Sequence, residues 1–298
     1  MFLYFTPFTF LFLSTYFLVI LFIISLDNIY LFWLYIEILI LLFIGISFSI
    51  FSNSFTQLIL YFLIQTIASF RVLVFYSLSI YYLVFIALFL KLGMFPFISW
   101  YINVLFRFPS FILFLAITFH KLPPLFLFVI LYSSYYHNFI FVSILFSIIV
   151  GGLYILAVLD LRYLLIVSSI ANNRFLLIGL ISGNNFIFFC FYRMYVLNIF
   201  FILKTIGYYL KPLFFSRDKT RNVFLLMLLL FNIASLPPFP IFFLKFYLIL
   251  SFLFRNYFSI FGFILLILAN VSIIARYCSM LIKLIVNSYS NSRNYLLF

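Results

Sequence analysis

Acidic residues are almost missing from this chain: Asp27, Glu37, Asp160 and Asp218 are the only four among 298. Charged residues of both signs together make up 7%, which excludes a soluble surface built from mixed charge. Glycine (8) and proline (9) are scarce too, so each helix-breaking run stands out from its background. The two cysteines, Cys190 and Cys278, sit alone in apolar runs. That excludes a disulfide framework and a metal-ligand spacing, and they read as small buried hydrophobes. The sequence has no nucleotide-binding glycine loop, haem-ligand pair, iron–sulfur spacing or catalytic triad, so any energy the chain uses is expected to arrive from elsewhere. Its first segment has no basic start, Arg-rich amphipathic stretch or small-residue cleavage site, and is expected to be a retained first helix.

What is present is apolar. Hydrophobic residues make up 69% and the mean hydropathy is +1.37, more than a soluble domain can bury. A spanning helix needs about 20 apolar residues, so the length accommodates about ten spans and no water-soluble catalytic domain. Phenylalanine (50) and tyrosine (23) are abundant beside Ile, Leu and Asn, the residues an AT-rich genome over-supplies. An organellar gene, translated beside its own membrane, accounts for both the composition and the missing address. The net charge of +13 does not make a nucleic-acid footprint, because the basic residues are divided between spans and loops instead of forming one face.

Apolar runs between polar or turn residues predict ten segments, at 2–24, 30–50, 55–76, 78–95, 110–133, 138–158, 162–182, 185–209, 222–248 and 258–286. The longer connections are 96–109 and 210–221. With ten spans, the termini and the even-numbered loops share one side, which carries Arg107, Arg162, Lys211, Arg217, Lys219, Arg221 and Arg293. The other side carries Arg255 and little else. The positive-inside rule therefore places both termini in the cytoplasm-equivalent compartment, the matrix of a mitochondrion.

Two spans carry breaks five spans apart. The fourth ends Lys91-Leu92-Gly93-Met94-Phe95-Pro96, and the ninth contains Leu236-Pro237-Pro238-Phe239-Pro240 ahead of Lys245. Proline removes a helix hydrogen bond and clashes one turn back, so both helices are expected to be kinked or discontinuous. The expected fold is thus all-α, with two inverted five-helix repeats at 1–133 and 138–298 and broken helices four and nine. Paired interrupted helices point to a transport site.

Ionisable residues inside the spans carry the functional reading. A charge near the bilayer centre costs at least ~2.5–3.5 kcal/mol, so it marks a candidate site. Lys91 and Lys245 accompany the two breaks. Lys121 follows His120 and precedes a third break at Leu122-Pro123-Pro124. Glu37 is the one acid clearly within a span, and a carboxylate that approaches or leaves a lysine makes a two-state charge switch. Arg71, Arg174, Arg193, Lys204 and Arg276 also fall within spans; arginine does not deprotonate at usable pH, so these cannot carry protons themselves. Arg174 follows Ser168, Ser169, Asn172 and Asn173 and is expected to face the interior on a secondary polar axis with His120 and Asn172. The others are expected to meet lipid or a partner. Asp27 and Asp160 are placed in loops or at helix ends, and His137 in a loop.

The stretches Trp33-Leu34-Tyr35-Ile36-Glu37, Lys91 to Phe97, His120 to Pro124, Gly151-Gly152-Leu153, Ser168-Ser169-Ile170 and Leu236 to Phe239 with Lys245 resemble the NADH dehydrogenase subunit 2 family of mitochondrial complex I. Order and spacing agree over nearly the whole chain, and Tyr61-Phe62-Leu63, Gln65 to Ser69, Asn270 and Arg276 fit as well. Ile98, Ile102, Asn103, Asn172 and Leu60 stand where the family usually has His, Pro, Glu, His and Lys.

The resemblance implies an antiporter-like fold of inverted five-helix repeats, in which the animal form lacks three leading helices and this chain stops after the tenth repeat helix. It implies proton translocation through Glu37, Lys91, Lys121 and Lys245 in a core membrane-arm subunit of the mitochondrial inner membrane. NADH, FMN, iron–sulfur clusters and ubiquinone would then belong to other subunits, with no cofactor or metal here. The partners would be neighbouring membrane-arm subunits, antiporter-like ones among them, and phospholipids. The alternatives are a non-pumping structural subunit, a stand-alone cation/proton antiporter and a sister antiporter-like subunit.

Overall fold

The computed structural model describes residues 7–26, 28–50, 55–132, 137–157, 160–209, 216–253, 268, 270–279 and 282. Among the described residues the chain is helical, with turns and no strand. Six stretches of the described residues are long and apolar enough to cross a membrane: Pro7–Ile24, Ile29–Ile50, Phe55–Ser77, Ser110–Leu131, Leu161–Ile181 and Asn185–Ile206. This is an all-α, multi-pass membrane protein. The chain divides into two compact units, 1–147 and 148–298.

In the first unit, α1 (Pro7–Ile24), α2 (Ile29–Ile50) and α3 (Phe55–Ser77) pack in sequence. Each is predominantly apolar, as a helix in hydrocarbon must be. Phe10, Leu11, Leu21, Leu41, Leu63 and Phe70 point outward, while Tyr16, Phe32, Phe43 and Tyr61 are fully buried. α4 (Tyr81–Leu92) packs on α3 and stops at Gly93. The short α5 (Ile98–Leu105) follows, then α6 (Ser110–Ile117), a 3-10 turn (Phe119–Lys121) and α7 (Leu122–Leu131).

Two sequence boundaries shift. Residues 96–109, expected as a connection, contain α5, whose Ile98, Tyr101, Ile102 and Leu105 are buried. Those positions repeat at helical spacing, a signal masked by the neighbouring prolines. The expected fifth span, 110–133, is two helices around a turn, because the Pro123 and Pro124 rings clash with carbonyls four residues back. They are accommodated in the first turn of α7, where no N–H is needed.

α8 (His137–Ala157) runs across the division between the units, and His137 opens it instead of lying in a loop. The second unit continues with α9 (Leu161–Ile181), α10 (Asn185–Tyr209), α11 (Ser216–Ala234) and α12 (Pro240–Leu253). α10 packs against α9, α11 and α12. α11 takes in Arg217, Lys219 and Arg221, which the sequence placed in a connection, because charge marks the membrane edge and does not end a helix. The tenth segment, 258–286, lies largely outside the described residues, although 270–279 are helical. Asp27, Lys211, Arg255 and Arg293 also lie outside them.

The two breaks close alike. At the end of α4, Met94 N–H donates to the Phe89 carbonyl at 2.9 Å and Gly93 N–H to Leu90 at 3.3 Å. At the end of α11, Leu236 N–H donates to Phe231 at 3.2 Å and Ser235 N–H to Asn232 at 3.0 Å. Both turns use a left-handed residue, Gly93 (φ 66) and Ser235 (φ 57), which is the Schellman way of satisfying the last carbonyls of a helix. The Phe95–Pro96 and Pro237–Pro238 peptides that follow are both cis. The expected discontinuity of helices four and nine is therefore present as a full helix end and restart.

A Cβ on Gly93 would strike the Tyr101 ring, in addition to the left-handed backbone. Gly93→Ala is expected to destabilise the first unit by about 1–3 kcal/mol, seen as a lower midpoint in thermal unfolding of the purified chain. An unchanged midpoint would show that the turn does not need glycine.

Candidate functional site

Lys91 occupies the last turn of α4 and is 4% exposed. Its carbonyl, released by the helix end, accepts Gln65 Nε2 of α3 at 3.2 Å. Among the described residues its Nζ has no hydrogen-bond partner, and the carboxylate of Glu37 lies within electrostatic range. Glu37, half-buried on α2, accepts from Ser69 Oγ of α3. The Ser69 carbonyl in turn accepts the Trp33 indole N–H at 3.0 Å, so α2 and α3 are stitched together around the carboxylate. Glu37 and Lys91 therefore interact without touching, as a separable pair must.

His120 and Lys121 lie in the 3-10 turn between α6 and α7, both buried. The His120 ring packs 5.0 Å from Phe43 and 5.7 Å from Tyr61, between ring centroids, and its Nδ1 is 3.4 Å from Tyr16 Oη. It is also within electrostatic range of Lys91. Lys121 Nζ stands 4.8 Å from the centroid of Tyr101, a cation–π arrangement that offsets part of the cost of burying the ammonium. The first unit thus gathers Glu37, Lys91 and His120 into one electrostatic group, with Lys121 next along the chain.

In the second unit Lys245 extends from α12 and is also 4% exposed. Its Nζ donates to Ser235 Oγ at 2.9 Å and lies 4.9 Å from the Phe175 centroid. The left-handed turn that ends α11 therefore supplies the lysine's oxygen ligand. Arg174 on α9 is 2% exposed and within electrostatic range of Lys245, and among the described residues its Nε and Nη2 have no hydrogen-bond partner. Gly151 on α8 makes room for the guanidinium, since a Cβ there would collide with Nη2.

Asn172 is buried on the same helix as Arg174, and Ser168 and Ser169 donate to backbone carbonyls of their own helix. Tyr277 lies beside Ser168 and Tyr195 beside Ser169. Asn232 Nδ2 of α11 donates to Asn198 Oδ1 of α10 at 3.0 Å. A polar interior runs through the second unit.

Each predicted lysine is buried at or beside a helix break, and Arg174 faces inward. Arg71, Arg193 and Lys204 are exposed, Arg276 is half-exposed, and Asp160 is exposed ahead of α9. Sequence reasoning missed Gln65, Ser69, Ser235 and the two ring platforms. Gln65 and Ser69 were accessible as a polar pair one turn apart in an apolar helix. Ser235 carried no signal, because its backbone conformation and its lysine partner arise only on folding.

No protein-family model and no curated protein matches this sequence. Among solved structures, the chain is similar to a chain of respiratory complex I from Thermus thermophilus, determined with bound aureothin. The identity is 18% and the TM-score 0.78, covering 92% of this chain and 69% of that one. The likeness establishes a shared fold.

Gly151→Ala is expected to displace Arg174 and cost about 1–3 kcal/mol through overpacking. In an Arg174→Leu background the same substitution should cost markedly less, a coupling readable from thermal unfolding of the four variants. Additive losses would mean that Gly151 does not serve the guanidinium.

Proposed function

We propose that this chain is a core membrane-arm subunit of a mitochondrial proton-pumping NADH:ubiquinone oxidoreductase, of the subunit 2 type, and that it translocates protons. The observation that carries the reading is the burial of Lys91, Lys121 and Lys245 at interrupted helices, in a fold shared with a respiratory complex I chain. A static apolar scaffold has no use for three ammonium groups whose burial each costs several kcal/mol.

In this reading Lys91 is the proton carrier of the first repeat, at 1–133, and Glu37 its movable counter-charge. Approach of the carboxylate favours a charged pair, and withdrawal leaves an unpaired ammonium that must discharge. Lys121 is the central relay, and Lys245 the carrier and exit of the second repeat, at 138–298. Ser235 Oγ gives the Lys245 proton a neighbouring oxygen. Arg174 places a second cation within electrostatic range of Lys245. His120, with Tyr16, extends the polar axis of the first unit. The driving energy comes from electron transfer between NADH and quinone in other subunits, which hold the FMN and iron–sulfur clusters. The chain lies in the inner membrane with both termini in the matrix, beside other antiporter-like subunits and phospholipid.

Extraction of the native membrane in mild detergent, native electrophoresis with an NADH-oxidation stain and mass spectrometry of the active band should find this chain there. Finding it only alone or with a few small partners would overturn the assembly and favour a free antiporter.

Within an assembled complex, Lys245→Met is expected to reduce proton translocation at least tenfold per NADH oxidised, measured as dye-reported acidification in vesicles, while the NADH site still reduces an artificial acceptor. Full pumping in the assembled variant would remove Lys245 from the path and support a scaffolding role.

A further inference from the structure

α10 carries a cation where lipid cannot solvate it. Its apolar stretch, Asn185–Ile206, has 22 residues. At 1.5 Å per residue the stretch is about 33 Å long, a close match to the hydrocarbon core. Arg193 lies about 4 Å from its middle. The core boundary is then about 11 Å away, and a snorkelling arginine extends only about 6–7 Å. The exposed cations elsewhere differ. Arg71 is about 8 Å from the middle of α3 and Lys204 about 13 Å from the middle of the α10 stretch, so both reach the interface.

Arg193 is exposed, on a face it shares with Phe186, Phe189, Leu197 and Phe201, all exposed and spaced three or four residues apart. The opposite face is used up by α9, α11 and α12. Among the described residues Arg193 has no hydrogen-bond or ion-pair partner. The two acids of its own unit are out of reach. Asp160 precedes α9, antiparallel to α10, so it lies about 21 Å from the level of Arg193. The Asn198–Asn232 bond sets the register of α10 against α11 and places Asp218 about 21 Å further along α11, in the direction away from Arg193.

We propose that the Arg193 face of α10 is a docking surface for a transmembrane helix of a neighbouring subunit, and that this helix carries an Asp or Glu near mid-membrane which pairs with Arg193. Charge complementarity chooses the occupant. A guanidinium near the bilayer centre needs an acceptor at its own depth, and a lipid headgroup is at the wrong depth to provide one. A carboxylate matches the guanidinium in a bidentate pair, and the flanking Phe and Leu side chains supply the apolar contact around it. The proposal rests on the reading of the chain as one subunit of a larger membrane assembly.

The test is Arg193→Leu in the full chain, in its native membrane. Leucine is a good helix former and is favoured in lipid, so the span itself persists. If the face meets lipid, the variant assembles as well as wild type. If it meets a partner carboxylate, that acid is left buried and unpaired, and incorporation into the high-mass complex should fall at least tenfold, with Arg193→Lys retaining most of it. A photo-crosslinking residue in place of Leu197 should capture a peptide from a membrane helix with a mid-span Asp or Glu, and changing that acid to its amide should soften the Arg193→Leu defect.

Unimpaired assembly of Arg193→Leu, or crosslinks only to lipid or to helices without an acid, would overturn the proposal. A wild-type chain that migrates alone would instead refute the assembly reading, and this docking surface with it.

Discussion

In hydrocarbon every backbone N–H and C=O must find a partner within the protein, and each failure costs several kcal/mol. This requirement governs how the helices of this chain are allowed to break. Both major breaks are sealed by the same pair of backbone hydrogen bonds around a left-handed residue, Gly93 in one and Ser235 in the other. The remaining carbonyl at Lys91 is taken by Gln65. With the backbone satisfied, a helix can end at membrane depth, and the interior gains the irregular space in which charged side chains sit.

The two units use that space differently. In the first, the lysine precedes its break and faces a carboxylate that it does not touch, with His120 as the nearby ring. In the second, the lysine follows its break, bonds the turn's own hydroxyl and shares its surroundings with a buried arginine. One lysine is thus balanced by a charge of opposite sign, the other opposed by a charge of the same sign. Repeated backbone architecture here carries divergent electrostatics, and a proton would meet a different environment in each half.

Depth sorts the remaining cations. Those within reach of the interface need only a long side chain, whereas those nearer the centre need a protein partner. Arg174 is enclosed by its own unit, in a seat that Gly151 leaves open. Arg193 faces out. A chain with four acids cannot neutralise its own basic residues.

Much of this was legible beforehand, because hydropathy over about 20 residues is a strong signal and each proline removes a hydrogen bond wherever it falls. Most of the helices, their breaks and the burial of Lys91, Lys121, Lys245 and Arg174 follow from local chemistry that does not depend on what lies nearby. The sequence could not show α5, whose apolar spacing is short and hemmed in by proline. Nor could it show which group attends each lysine. Gln65 against the Lys91 carbonyl, the Tyr101 ring beneath Lys121 and the Ser235 hydroxyl beside Lys245 join residues 10 to 26 positions apart. Such pairings depend on how helices rotate and pack against one another, and that is a property of the folded chain alone.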